Sequence, residues 1–220
     1  MSNPPAWSFS SLNSFQNCPL QYKLTRVTKE VKTVESEAMK FGTECHLYLE
    51  NRVANKEVLP GHLAWMEPLI KKMEVSGGGM IAEQKVALTK GLGITTFFGK
   101  DVWVRGIVDL TVRYGDKSVV LDWKTGRRKP DSDQLMLFAG FEFADRPHVN
   151  EVRTGYLWLK DKKMDTETFT REDIPRIWGH FVPKVERLEK AYANDEWPAK
   201  VSGLCGWCSA TKAQCKHAKQ

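Results

Sequence analysis

The sequence predicts an α/β fold in which a mixed central sheet is flanked by helices, with a helical N-terminal segment and a cysteine-rich C-terminal tail. Residues 79–160 are rich in β-branched and aromatic residues, helical patterns precede and follow them, and three of the five cysteines lie within residues 205–215. A chain of 220 residues is long enough to bury a full core. We therefore expect one domain, with a helical part over 1–78, a sheet core over 79–160, and a helix and cysteine cluster over 161–220.

Helices are predicted throughout the first 78 residues. Ser8 or Ser10 can cap a first helix, because a side-chain oxygen at that position accepts a hydrogen bond from the helix N-terminus. The apolar spacing predicts a second helix over 36–53 and a third over 62–75. Three consecutive glycines then end the third helix.

Strands dominate the block that follows. The β-branched and aromatic runs predict strands over 81–88, 94–98, 102–113 and 118–123. The last two strands are separated by a plausible hairpin turn over 114–117. A helix over 131–143, a strand over 154–159 and a long helix over 171–194 complete the prediction.

Composition and charge limit the classes of protein. Apolar residues make up 41% of the chain and charged residues 27%, as in ordinary globular proteins. No apolar run approaches the roughly 20 residues of a membrane span, and no signal-peptide pattern is present. We expect a cytoplasmic protein of a bacterium, or a phage protein acting in the host cytoplasm. The net charge of +6 suits a polyanionic partner such as DNA.

An aspartate and a lysine end one of the predicted strands. Asp122 and Lys124 point the same way because side chains alternate along a strand. Asp109 lies in the apolar run of the preceding strand, where a buried carboxylate is costly unless it is paired or holds a metal. A hairpin about 114–117 brings Asp109 and Asp122 together. Two close carboxylates favour a divalent cation, and hard oxygen ligands favour Mg²⁺ or Mn²⁺.

Lys124 beside such a metal can orient the attacking water and offset charge on a scissile phosphate. Taken alone, Asp122 and Lys124 are equally well explained as an exposed ion pair at a strand end. Three further residues add to the site. His46 can complete a metal shell, Glu83 is a possible further ligand or water partner, and Gln134 can hold substrate or fix the lysine.

The order of these residues resembles a known family. The pattern is Gly42-x3-His46, Glu83, Gly106-x2-Asp109, Asp122-x-Lys124-Thr125-Gly126 and Gln134-x3-Phe138. It is similar to the PD-(D/E)XK nucleases of the RecB type, which include the nuclease domains of RecB and AddB and the CRISPR-associated RecB-like exonucleases. The resemblance spans most of the chain, and Ser8–Tyr22 is similar to the start of these domains. It implies a restriction-endonuclease-like core.

The resemblance also implies roles for individual residues. His46, Asp109 and Asp122 would bind the metal, with the backbone carbonyl of Trp123 as a further ligand. Lys124 would be the catalytic lysine. Gln134 matches the family's glutamine motif. That motif usually continues to a tyrosine, where this chain has Phe138 and therefore lacks the hydroxyl.

The C-terminal tail carries a second motif. Cys205, Cys208 and Cys215 follow a C-x2-C-x6-C spacing, which in a cytosolic protein suggests a metal rather than disulfides. The resemblance pairs them with Cys18 in a [4Fe-4S] cluster, as in AddB. A local Zn²⁺ site with His217 as fourth ligand is the alternative. Free, reduced thiols remain a third possibility.

The predicted function is a stand-alone Mg²⁺- or Mn²⁺-dependent DNA exonuclease in DNA recombination, repair or processing. The basic residues Arg127, Arg128 and Lys129 follow the active-site strand and are predicted to meet DNA phosphates. Two alternatives remain: a structure-selective endonuclease with the same chemistry, and a DNA-binding partner in a recombination or CRISPR adaptation complex. Cleavage of linear but not circular DNA separates the exonuclease from the endonuclease.

Overall fold

The computed structural model describes residues 4–32, 35–129 and 133–219. The chain divides into two compact units, one of Ser36–Trp178 and one of Met1–Glu35 with Gly179–Gln220. Within the described residues, no helix has both the length and the apolar character to cross a bilayer.

Most helices and strands follow in the order that the sequence predicts, with differences at their ends and in two strands. The α-helices are α1 (Phe9–Asn17), α2 (Pro19–Tyr22), α3 (Glu37–Asn55), α4 (Glu67–Val75), α5 (Asp133–Asp145) and α6 (Ile174–Asn194). The strands are β1 (Gly79–Leu88), β2 (Val104–Tyr114), β3 (Lys117–Lys124), β4 (Glu151–Trp158) and β5 (Lys163–Thr170). The predicted start of α5 at 131–132 lies outside the described residues.

The larger unit is built on a mixed sheet of five strands in the order β1-β2-β3-β4-β5. Only the β3–β4 pair is parallel, and the other pairs are antiparallel. The parallel pair needs a crossover, which α5 supplies. The prediction of a mixed sheet flanked by helices is confirmed.

The hairpin between β2 and β3 sets the register on which the carboxylates depend. Tyr114 pairs with Lys117, as predicted, and Gly115 takes a φ of 54° that favours glycine. Pairing then continues to Leu110 opposite Leu121. The next step places Asp109 beside Asp122.

One predicted strand is absent, and one strand was not predicted. Residues 94–98 form no strand, because Ile94 makes only an isolated bridge to Leu88 and the chain turns away. Residues 163–170, which were not predicted as a strand, form the edge strand β5. An edge strand has a single neighbour, and β5 is mostly exposed, so its sequence lacks the apolar run of an inner strand.

Helices α3 and α4 cover one face of the sheet. Ser36 caps α3 by accepting a hydrogen bond from the Met39 backbone N–H at 3.2 Å. The core under these helices contains the buried side chains Leu49, Ile70, Leu110 and Trp123. A well-packed core holds α3 at a fixed height above β2 and β3.

A charged cluster also joins α3 to α4. Arg52 of α3 donates to Glu67 at 2.7 Å and to Glu74 at 2.9 Å, and its guanidinium group is buried while the two carboxylates are partly exposed. These paired hydrogen bonds fix the two helices against each other, because an unpaired charge here would be costly.

The smaller unit combines the first and last segments of the chain. Ser8 caps α1, and the ring of Tyr22 stacks on Trp197 with centroids 6.0 Å apart. Lys23 pairs with Asp195 at 2.9 Å. These contacts hold α1 and α2 next to the tail that carries three of the cysteines.

Candidate active site

Asp109 and Asp122 lie side by side on β2 and β3, and only 8% and 3% of their surfaces are exposed. The Trp123 backbone N–H donates a hydrogen bond to Asp109 Oδ2 at 2.7 Å. This bond takes the place of regular ladder pairing at the point where the two strands separate. It fixes the Asp109 carboxylate against β3.

Three side chains converge on one point of the larger unit. The ligand atoms of His46 from α3, Glu83 from β1 and Asp109 from β2 all lie within 4.8 Å of one another. His46 Nδ1 lies 3.4 Å from Asp109 Oδ1, and His46 Nε2 lies 3.1 Å from the Trp123 carbonyl oxygen. An imidazole with two carboxylates is a donor set that suits a divalent transition or alkaline-earth cation.

Glu83 reaches this point through a distorted main chain. It lies inside β1 with a φ of 48°, a left-handed conformation that is uncommon for a residue with a side chain. Ala82 pairs with Leu110 and Gln84 pairs with Val108, so Glu83 lies opposite Asp109. Backbone strain of this kind persists only where the surrounding structure enforces it, and strained residues are common at functional sites.

Gly42 lets α3 approach the end of β3. A Cβ atom at this position would lie 3.1 Å from Thr125 Oγ1, closer than most contacts of that kind. Thr125 directly follows Lys124, so the glycine allows the helix to pack beside the strand end. The approach brings His46 over the Trp123 carbonyl.

Lys124 is held by two polar groups. Its Nζ lies 2.5 Å from Asp122 Oδ2 and donates to Gln134 Oε1 at 2.9 Å. Gln134 Nε2 in turn donates to Asp122 Oδ1 at 2.9 Å. The Lys124 ammonium also lies 5.2 Å from the centre of the Tyr156 ring. Gln134 therefore holds both the Lys124 ammonium and the Asp122 carboxylate in position through its hydrogen bonds.

The carboxyl groups of the site are electrostatically crowded. Burial and the nearby Asp109 charge raise the pKa of Asp122 to about 7, although Lys124 opposes the shift. Burial and Asp109 likewise raise the pKa of Glu83 to about 7. Burial lowers the pKa of His46, but its contact with Asp109 outweighs this and the net pKa is raised. A divalent cation would relieve this crowding.

The Asp122 carboxylate has one oxygen with spare binding capacity. Oδ2 is buried and accepts no hydrogen bond of regular geometry, although the Lys124 ammonium lies close to it. A divalent cation bound beside Lys124 would add positive charge next to this buried carboxylate. The donor set and this oxygen together fit a divalent metal.

The raised pKa of Asp122 predicts a pH effect on stability. The folded metal-free protein holds this proton more tightly than the unfolded chain, so the free energy of unfolding should fall as pH rises from about 4 to about 7. Asp122→Asn cannot ionise. It should stabilise the protein by about 2–4 kcal/mol at pH 8 and by much less at pH 4.5. Urea unfolding in EDTA measures both, and equal effects at the two pH values would contradict the prediction.

The predicted site residues form two neighbouring groups in the structure. His46, Glu83 and Asp109 form the compact trio, whereas Asp122 lies beside it and contacts Lys124 and Gln134. The Trp123 carbonyl contacts His46. Phe138 is buried and packs against Phe141 with ring centroids 6.2 Å apart. The catalytic and metal-binding roles of these residues stay predictions.

Sequence reasoning missed two features near the site. Tyr156, which supports Lys124, pairs with Asp122 across the parallel strands, and a central strand beside β3 was the available signal. Arg128, predicted to meet phosphates, forms an ion pair with Asp165 of β5. Asp165 also accepts a hydrogen bond from Trp158 Nε1 at 2.7 Å. Arg127 and Lys129 remain exposed on the same loop.

A separate cavity of about 400 Å³ lies in the smaller unit. Cys18, Cys205, Cys208 and Cys215 all line it, together with His217. None of the five cysteines of the chain forms a disulfide. Backbone N–H groups donate to two of the sulfurs at 3.4 Å, from Lys200 to Cys18 and from Ser202 to Cys205.

Comparisons with known proteins agree with this geometry. The family model of the PD-(D/E)XK nuclease superfamily matches residues 6–216. No curated protein matches the chain. The crystal structure of a "Putative exonuclease" from Eubacterium rectale is similar, with a TM-score of 0.54 and 14% identity over 92% of this chain and 86% of that one.

The crystal structure of SSO0001 matches with a TM-score of 0.44 and 14% identity over 83% of this chain and 77% of that one. The family match covers residues 6–216, which is nearly the whole chain. The chain therefore belongs to the PD-(D/E)XK nuclease superfamily, whose members are metal-dependent nucleases.

Proposed function

We propose that this nuclease is an exonuclease that hydrolyses DNA with Mg²⁺ or Mn²⁺ in recombination, repair or processing. The observation that carries the proposal is the convergence of His46, Glu83 and Asp109 within 4.8 Å, directly beside the Asp122–Lys124 pair. The two buried carboxylates, Asp109 and Asp122, would destabilise a protein that only binds DNA, so they favour catalysis over binding alone.

The residues of the chain divide the chemistry between them. His46, Glu83, Asp109 and Asp122 would hold the cation, which supplies positive charge for the transition state and lowers the pKa of water. Lys124 holds the attacking water in line and offsets charge that develops on the phosphate. Gln134 keeps the ammonium group in position through its hydrogen bond at 2.9 Å.

The proposal of an exonuclease, rather than another nuclease, depends on the similarity of this chain to other proteins. The similar fold of the Eubacterium rectale protein and the resemblance to RecB-type domains favour removal of nucleotides from DNA ends. The exposed Arg127 and Lys129, next to the active-site strand, favour contact with a DNA backbone. We include in this proposal that the protein acts together with partner proteins in recombination or CRISPR adaptation.

We further propose that the four cysteines of the cavity hold a [4Fe-4S] cluster. Four thiolates are the usual ligands of such a cluster, and the cavity has room for one. The N–H donors of Lys200 and Ser202 point at two of the sulfurs and would stabilise thiolate charge. The cluster would supply a covalent link between α2 and the tail.

One assay tests the nuclease proposal. Wild-type protein and Asp122→Ala are incubated with end-labelled linear DNA and with closed circular DNA, in Mg²⁺ or Mn²⁺. We expect the wild type alone to degrade the linear DNA and to leave the circle intact. Cleavage of the circle would replace the exonuclease with an endonuclease. An inactive wild type with its metal bound would overturn the proposal.

A further inference from the structure

The loop between β1 and β2 exposes two neighbouring aromatic rings. Phe98 is 80% exposed, and its ring packs edge-on against Phe97 with centroids 5.1 Å apart. The loop is closed beside them by a hydrogen bond of 2.8 Å from Thr95 Oγ1 to Asp101 Oδ1. The rings are therefore presented by an ordered loop.

The Arg105 side chain contacts both rings. The guanidinium carbon of Arg105 lies 5.5 Å from the centre of the Phe97 ring and 5.7 Å from that of Phe98. Arg105 also donates a hydrogen bond to the Phe97 carbonyl oxygen at 3.4 Å. The cation–π contacts fix the rings on the strand that carries Asp109.

Positive and apolar side chains continue from the rings along β2. Gly106 faces Phe141 of α5, since a Cβ atom on it would lie 2.6 Å from that ring. Arg105 and Ile107 therefore point to the opposite face of the sheet. Ile107 is 41% exposed there, and its partner on β1 is the exposed Lys85.

These side chains lie on the same two strands as Glu83 and Asp109 of the metal-binding trio. Lys85 follows Glu83 by two residues on β1, which is about 7 Å along a strand. Arg105 precedes Asp109 by four residues, which is about 13 Å along a strand. A stacked DNA strand covers that distance in about four phosphate steps.

We propose that the aromatic strip, formed by Lys85, Phe97, Phe98, Arg105 and Ile107, binds single-stranded DNA leading to the metal site. A base stacks on Phe98, and the two cations meet the backbone. The strip favours a single strand because base faces are free to stack on aromatic rings only when they are unpaired. This inference rests on the proposed nuclease function and names the form of its substrate.

Binding in a cleavage-deficient background tests the strip. Full-length Asp122→Asn protein is titrated, in EDTA and at fixed salt, into a fluorescein-labelled oligothymidine while anisotropy is followed. Adding Phe98→Ala should raise the Kd by about 5- to 150-fold, the loss of one stacked base. Phe98→Trp should keep the affinity, whereas Phe98→Leu, which is apolar but has no aromatic face, should not.

Controls separate the possible outcomes. Val75→Ala, at another strongly exposed apolar position, should leave the Kd unchanged, and blunt duplex DNA should bind the Phe98→Ala variant as well as its parent. An unchanged Kd for Phe98→Ala would contradict the proposed role of the strip. An equal loss of affinity for duplex DNA, or a loss of affinity that appears only with RNA, would also contradict it.

The outcomes for the strip and for the nuclease proposal are distinguishable. If the wild type cleaves DNA while the Kd does not depend on Phe98, the nuclease proposal stands alone. If binding depends on Phe98 but the wild type with its metal cleaves nothing, the strip stands and the nuclease proposal falls.

Discussion

Replacing Asp109 by asparagine should lower the rate of DNA cleavage by about 1,000-fold or more, because the change removes one negative charge from the proposed cation site. Asparagine has nearly the same shape, and its side-chain oxygen can still accept the Trp123 N–H bond of 2.7 Å. Single-turnover cleavage of end-labelled linear DNA measures the rate. Calorimetric titration with Mn²⁺ in the absence of DNA measures the expected loss of cation affinity.

The matched control for this variant lies on the same hairpin. Asp116→Asn makes the same change in the exposed turn between β2 and β3, and should cleave DNA at the wild-type rate. The metal-free Asp109→Asn protein should be at least as stable as the wild type, because one of the crowded carboxylates loses its charge. A folded Asp109→Asn variant that keeps more than about a tenth of the activity would remove Asp109 from the site.

The carboxylate pair could be predicted because it depends on local rules. A turn at 114–117 and the two-residue period of a strand were enough to place Asp109 beside Asp122. Gln134 was placed one helical turn past the basic loop, where it could fix the lysine, and the two residues are hydrogen-bonded. Short-range geometry carries this information whatever the rest of the fold does.

Other parts of the site depend on contacts between distant segments. The left-handed conformation of Glu83 is imposed by the pairing of β1 with β2, and no local sequence signal marks it. The partner of Arg128 is Asp165, on a strand whose exposed, polar sequence gave no prediction. The Phe97–Phe98 pair was predicted as part of a strand, because two aromatic residues after two threonines fit strand statistics. The structure uses them in a loop.

Changing Cys18 to serine should have the largest effect on stability. In the cluster proposal, Cys18 and Cys205 are joined through iron and close a loop of about 190 residues. By analogy with a disulfide, a link across such a loop stabilises the folded state by about 5 kcal/mol. We expect Cys18→Ser to lower the Tm by about 10–20 °C and to lose its iron. Thermal unfolding and iron and sulfide analysis of anaerobically purified protein measure both.

The choice of variants separates the cluster from its alternatives. Cys45→Ser changes the one cysteine that does not line the cavity, so it should keep its iron and its brown colour. His217→Ala should also keep its iron if Cys18 is the fourth ligand. A colourless zinc protein that loses metal with His217→Ala, but not with Cys18→Ser, would assign the site to the tail alone. The Lys200 N–H donates to Cys18 Sγ at 3.4 Å, so this hydrogen bond holds the first segment of the chain next to the tail that carries the other three cysteines.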